Sequence, residues 1–245
     1  MSYYSCPYNE VPIYTPCRFC KFRNKCIYFI ANKTYGMYRD DSMVSGSAQL
    51  GEQFLSPSSF KISYPYVINM HNKEVESKIN QTIVDEVARL FKNAVLYPQQ
   101  INFKEILGDY EIKLNEKGLL SILFSIYTYV EHAAHGITIY SSLTFDLETG
   151  KIYQFSDLFT ARIYYKAILD DIARNYIEEN NIQLIAEYKG ITQNQQFYLT
   201  PDELVIYYQI YEYTPYVYGL FEIPIPYSKI LNLLGPASPI QRLLQ

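Results

Sequence analysis

The sequence contains no tryptophan, only three histidines and only ten glycines among its 245 residues. No glycine-rich phosphate-cradling loop, nucleophile motif or paired catalytic carboxylates can be found in it. Charge is sparse, with 21 basic against 25 acidic residues and a net charge of −4, which argues against a wholesale nucleic-acid binder. No apolar run reaches membrane-spanning length, and Met1 to Tyr14 lacks the basic start and apolar core of a leader. On that reading the chain is cytoplasmic. No internal repeat is visible.

What is abundant is tyrosine, 27 residues of it. The ring is apolar and the tip polar, so tyrosine suits half-buried strands and contact surfaces alike. Its density is highest in FYLTPDELVIYYQIYEYTPYVYGLFEIPIPYSKI, from Phe197 to Ile230. Thr200-Pro201-Asp202-Glu203 reads as a turn. Leu204, Ile206, Tyr208 and Ile210 then alternate with Val205, Tyr207, Gln209 and Tyr211. Both faces are apolar or aromatic, which predicts a central strand covered on both sides. Pro215 and Gly219 break the run. Phe221, Ile223 and Ile225 alternate with Glu222 and Pro224, and the prolines at 224 and 226 predict an edge strand. The intervening loop offers Tyr211, Tyr213, Tyr216 and Tyr218 as a candidate binding surface.

All four cysteines lie near the start: Cys6, Cys17, Cys20 and Cys26. Cys17 and Cys20, two residues apart, can grip one metal from a tight turn, and Cys26 and Cys6 can complete four thiolates for zinc or an iron–sulfur cluster. The other reading is reduced or disulfide-bonded cysteines in a loose extension. Basic and aromatic residues interleave with Cys17 and Cys20, a weak nucleic-acid signal. Residues 1–38 form this cysteine-containing segment, and the serine- and glycine-rich stretch 39–59 reads as a linker or surface loop.

Residues 60–235 carry the folded body, as a first module over 60–150 and a second over 151–235, followed by a tail, 236–245. Lys61 to Val67 reads as a strand. Asn72 caps a helix running to about Asn93, with Val75, Ile79, Ile83, Val87, Leu90 and Phe91 as its apolar stripe. The period then drops to two. Tyr110, Ile112 and Leu114 make one strand, Asn115 to Gly118 a turn, and Leu120, Ile122, Phe124 and Ile126 the next strand. A further strand follows from Ile137 to Phe145, and a short one from Lys151 to Phe155, giving an antiparallel meander with one wetter face. Ser156 to Phe159 leads into a second helix with the stripe Tyr165, Ile168, Leu169, Ile172 and Tyr176. A short helix over Ser228 to Leu234 closes the body. The fold class expected is α+β: a mostly antiparallel sheet of meander and hairpins packed on two main amphipathic helices, with an irregular N-terminal extension.

The order HAAHGIT, LTFDLETGKIYQFSDLF, then FYLTPDELVIYYQIYEYTPYVYGLFEIPIPY resembles the C-terminal domain of unknown function of the RsiV/PdaC family. SYPYVINMHNKEVESKINQTIV resembles the module that precedes it there. The resemblance covers about Phe60 to Ile230. It implies an α+β fold, a bacterial source, and binding or sensing of a protein or cell-wall glycan rather than chemistry. It also implies a place outside the membrane, against the cytoplasmic reading above.

Two other functions compete with the binding module. One is a metal-bearing interaction or redox-sensing protein acting through the cysteines. The other is a hydrolase around His132 and His135, in Glu131-His132-Ala133-Ala134-His135. On a helix two histidines three apart share a face, but strand-like flanks send them to opposite sides. A polar hairpin connection is the stronger reading, and no catalytic residue is assigned.

Overall fold

The computed structural model describes residues 46–55, 60–98, 102–160 and 164–245. The segment carrying Cys6, Cys17, Cys20 and Cys26 lies outside them. No helix among the described residues is long and apolar enough to cross a membrane.

Helix α1, Lys73–Phe91, starts where the sequence predicts. The Asn72 side chain accepts hydrogen bonds from the backbone N–H groups of Glu74 and Val75, satisfying two donors that have no partner within the helix. Glu74 and Glu76 in the first turn and Arg89 in the last complement the helix dipole. Val75, Ile79, Ile83, Val87 and Leu90 are all buried, as their spacing requires. The helix runs on into a π-helical turn, Lys92–Leu96.

That stripe lies on one face of a five-stranded sheet of order β1-β2-β3-β4-β5: Gln49–Leu55, Lys61–Ile68, Phe103–Glu116, Leu119–Val130 and Ile137–Asp146. The shared core includes Ile62, Ile106, Leu120, Ile122, Phe124, Ile126 and Phe145. All neighbouring pairs are antiparallel except β2–β3, which touches through Lys61↔Leu107 and Ile62↔Gly108. Lys117 and Gly118, both at positive φ, make the β3–β4 turn.

The stretch 39–59 is not a loop throughout. Its second half is β1, paired with β2 from Gln49↔Ile68 to Leu55↔Ile62. Gly51 is there for packing rather than flexibility, because a Cβ would stand 2.4 Å from the Tyr66 ring. The Asn115 side chain holds the strand's entry by bonding both N and O of Ala48 at 2.8 Å.

A second, three-stranded sheet has the order β6-β7-β8: Phe197–Leu199, Glu203–Tyr208 and Phe221–Pro226. β7 is central and buried on both faces, and the proline-bearing β8 lies at the edge, as expected. Alternation along β7 sorts the layers. Leu204, Ile206 and Tyr208 join the core that contains Leu169 and Ala173 of helix α2, Tyr165–Glu179. Val205 and Tyr207 meet Leu123 of β4. The order is therefore α1, large sheet, small sheet, α2, with each helix on its own sheet.

This stacking corrects the expectation of a wetter meander face. Ser121 is fully buried, bonded to Thr144 and accepting from Leu199 N at 3.1 Å. The Ser142 hydroxyl donates to Phe197 O at 2.5 Å and accepts from the Tyr207 hydroxyl at 2.9 Å. These hydroxyls satisfy the outer edge of β6, which explains polar side chains between the two sheets. A β-bulge between Ile112 and Leu114 has a related effect. It turns Leu114 into the second core and leaves Ile112 exposed.

Other local expectations change. Lys151–Phe155 forms a single bridge, Phe145↔Ile152, rather than a strand. Phe155–Leu158 is a 3-10 turn with a Gln154/Asp157 capping box, separate from α2. Within α2, Ala173 is buried and Ile168 is 37% exposed. The expected closing helix is two 3-10 turns, Tyr227–Lys229 and Leu231–Leu233. The tail is docked. It ends in α3, Ile240–Leu243, with Ile240 in the core and Arg242 2.5 Å from Asp146.

Candidate functional site

The loop 209–219, between β7 and β8, carries the predicted aromatic surface, and its base is firmly rooted. The Gln209 amide bonds both Tyr140 N and Tyr140 O, at 2.9 and 3.0 Å, imitating a strand neighbour at the edge of β5. Gln209 N donates to the Glu212 carboxylate at 2.9 Å. Tyr213 turns inward, which removes it from the candidate surface. Its ring packs edge-on to Tyr208 at 4.9 Å and lies 5.3 Å from Tyr188. Its hydroxyl accepts from Lys189 N, and its carbonyl from Ile185 N. Burial pushes the Tyr188 phenol up to about 12, although its hydrogen bond with Tyr208 works the other way.

Beyond that root the chain turns outward. Pro215 opens a 3-10 turn, Tyr216–Tyr218, and Gly219 leaves it at φ 76°, ψ −146°, a region open essentially to glycine alone. Tyr211 and Tyr218 are 46% and 44% exposed, and Val217 between them is 90% exposed. The Tyr211 and Tyr216 rings are 5.9 Å apart. Two of the four predicted tyrosines, Tyr211 and Tyr216, therefore sit side by side, while Tyr218 packs edge-on to Phe221.

The structure adds a residue to this face that the aromatic pattern missed. His135, in the β4–β5 connection, stacks on Tyr216 with centroids 4.2 Å apart and planes at 24°. Its Nε2 lies 2.9 Å from the Tyr211 hydroxyl and its Nδ1 2.8 Å from the Gly136 carbonyl. A carbonyl can only accept, so Nδ1 carries the proton and the neutral ring's Nε2 accepts from Tyr211. Gly136 allows this approach because the Tyr127 ring fills the space a side chain would need, 2.2 Å from an added Cβ. The Tyr127 phenol is raised by desolvation and by neighbouring Tyr216, Glu105 and Tyr129, so it borders the same face.

His132 sits apart in character. Its side chain is 91% exposed, and its nearest carboxylate oxygen, on Glu131, is 4.0 Å away. Among the described residues no three His, Cys, Asp or Glu side chains gather in a way that could hold a metal. Both nitrogens of His135 are already engaged. The arrangement offers stacking surfaces, hydroxyls and one imidazole at a protein surface, the chemistry of recognition.

Two carboxylates elsewhere are structural. Asp146 is buried and accepts from Glu148 N, Thr149 N and the Thr149 hydroxyl on one oxygen, and from Tyr153 and Arg242 on the other. Burial raises its pKa, but these donors outweigh it and hold the carboxyl below its usual range. Glu86 is likewise held low, with burial opposed by Arg89 and the Ser141 hydroxyl.

Comparison with known proteins locates this architecture. A protein family of unknown function, DUF3298, matches residues 156–228, and the family described as deacetylase PdaC matches residues 56–138. Anti-sigma-V factor RsiV of Bacillus subtilis is 30% identical over 191 residues, which cover 72% of this chain and 66% of that relative. A DUF3298 family member from Bacteroides fragilis shares the fold with a TM-score of 0.61 at 19% identity, over 81% of this chain and 98% of that one. A second, from Pseudomonas aeruginosa, gives 0.56 at 13% identity, over 80% and 97%.

Proposed function

We propose, on the premise that this chain belongs to the RsiV/PdaC-type family of domains of unknown function, that it is a non-catalytic module that binds a protein or a cell-wall glycan. The observation that carries this reading is the pairing of exposed Tyr211 with half-buried Tyr216, held together by His135, on a loop whose Val217 and Tyr218 are also exposed. Rigid aromatic rings with polar tips bring contact area at little entropic cost, and they pack on sugar faces and protein surfaces alike. The name of one relative, an anti-sigma factor, favours a protein partner.

The test is retention of ligand by wild type and by a Tyr211→Ala/Tyr216→Ala variant. One arm is sedimentation with insoluble peptidoglycan; the other is pull-down from bacterial extracts. Loss of aromatic anchors of this kind lowers affinity by about tenfold or more. Equal retention by both proteins in both arms removes the proposed face.

A thiolate metal site at Cys6, Cys17, Cys20 and Cys26 remains a separate proposal, resting on the number and spacing of the cysteines. Metal analysis of protein purified without chelator tests it: stoichiometric zinc or iron supports the site, and sub-stoichiometric metal ends it.

A further inference from the structure

We propose that His135 is a positioning residue: it clamps the tip of the 209–219 loop and so presets Tyr211 and Tyr216 for the ligand. The inference deepens the binding reading above and rests on it for the words "for the ligand"; the clamp itself does not.

The loop carries two local costs. Tyr211 sits at φ 69°, a left-handed conformation that bulky residues avoid. The Thr214 hydroxyl is fully buried with no hydrogen-bond partner. The anchors at Gln209 and Tyr213 secure only the base. At the tip, His135 supplies both the acceptor for the Tyr211 hydroxyl and the stacking partner of Tyr216. Its own ring is aimed by the Gly136 carbonyl. His135 is exposed, so these contacts add little to global stability and act locally.

The imidazole also decides which way the Tyr211 hydroxyl points. In the neutral ring Nε2 accepts, and the Tyr211 proton is directed inward.

The test needs no ligand. The amides of Tyr218 and Gly219 donate to Pro215 O and Tyr216 O and report whether the tip is closed. In His135→Ala their hydrogen exchange accelerates by about tenfold or more, while the thermal midpoint barely moves. In His135→Gln, whose amide can donate to Gly136 O and accept from Tyr211, exchange returns part of the way. His132→Ala leaves it unchanged. Unchanged exchange at 218 and 219 in His135→Ala, or an equal rise in His132→Ala, would each overturn the clamp. A clamp that passes while the Tyr211→Ala/Tyr216→Ala variant retains every ligand would indict the binding reading alone.

Discussion

Tyr213 and Tyr216 are three residues apart and chemically identical, yet one is a core residue and the other a surface residue. Tyr213→Ala opens a cavity beside Tyr208 and Tyr188 and costs about 3–5 kcal/mol, read as a lowered urea midpoint. Tyr216→Ala leaves that midpoint within about 0.5–1 kcal/mol of wild type and shows itself only in ligand retention. Asp146 gives the pH prediction at this scale. Its folded pKa is depressed, so its stabilisation is complete above the unfolded value of about 4 and is lost as pH falls through the lower folded value. Asp146→Asn is therefore less stable than wild type by about 1–3 kcal/mol at pH 7, and the gap narrows below about pH 4. Urea unfolding of both proteins across pH 3–7 (roughly the span over which a carboxyl titrates) checks the sign. A gap that widens on acidification contradicts it.

Among the elements, α1 and β1 behave differently although both border the large sheet. Ile83 is fully buried in the helix stripe, and Ile83→Ala costs about 2–5 kcal/mol. β1 sets partly buried Ala48 and Leu50 against the core at its start and is held at Ala48 by the Asn115 amide. Asn115→Ala removes both bonds, and faster amide exchange in Gln49–Gln53 follows while β3–β5 stay protected. The global stability loss is about 1–2 kcal/mol. If exchange rises uniformly through the sheet, β1 is not the separately anchored strand described here.

At the scale of the molecule, the C-terminal segment locks the layers together. Ile240 fills the core shared by α2 and the small sheet, and Arg242 reaches back to Asp146 at the end of β5. A chain ending at Ser238 loses both contacts. Its urea midpoint falls by the equivalent of about 3–5 kcal/mol, the sum expected for an emptied apolar site and a broken charge-assisted bond. A truncated protein as stable as the full chain would return residues 236–245 to the status of a tail.

Much was legible from short-range rules. The Asn72 cap, the stripe of α1, the Lys117-Gly118 turn, the two-faced burial of β7 and the edge role of β8 all follow from periodicity, capping and proline's missing donor, which act within a few residues. Tertiary structure alone decided that there are two sheets rather than one, that Ser121 and Ser142 bond across the interface between them, that Gly51 belongs to a strand and that His135 meets Tyr211 and Tyr216. The reason is the same in each case. Partners such as Ser121 and Leu199, or His135 and Tyr211, lie 78 and 76 residues apart, and no local period carries their pairing. The sequence by itself determined which segments become strands and helices; the packing of those segments determined which tyrosines face solvent, and so which of them the proposed binding face can use.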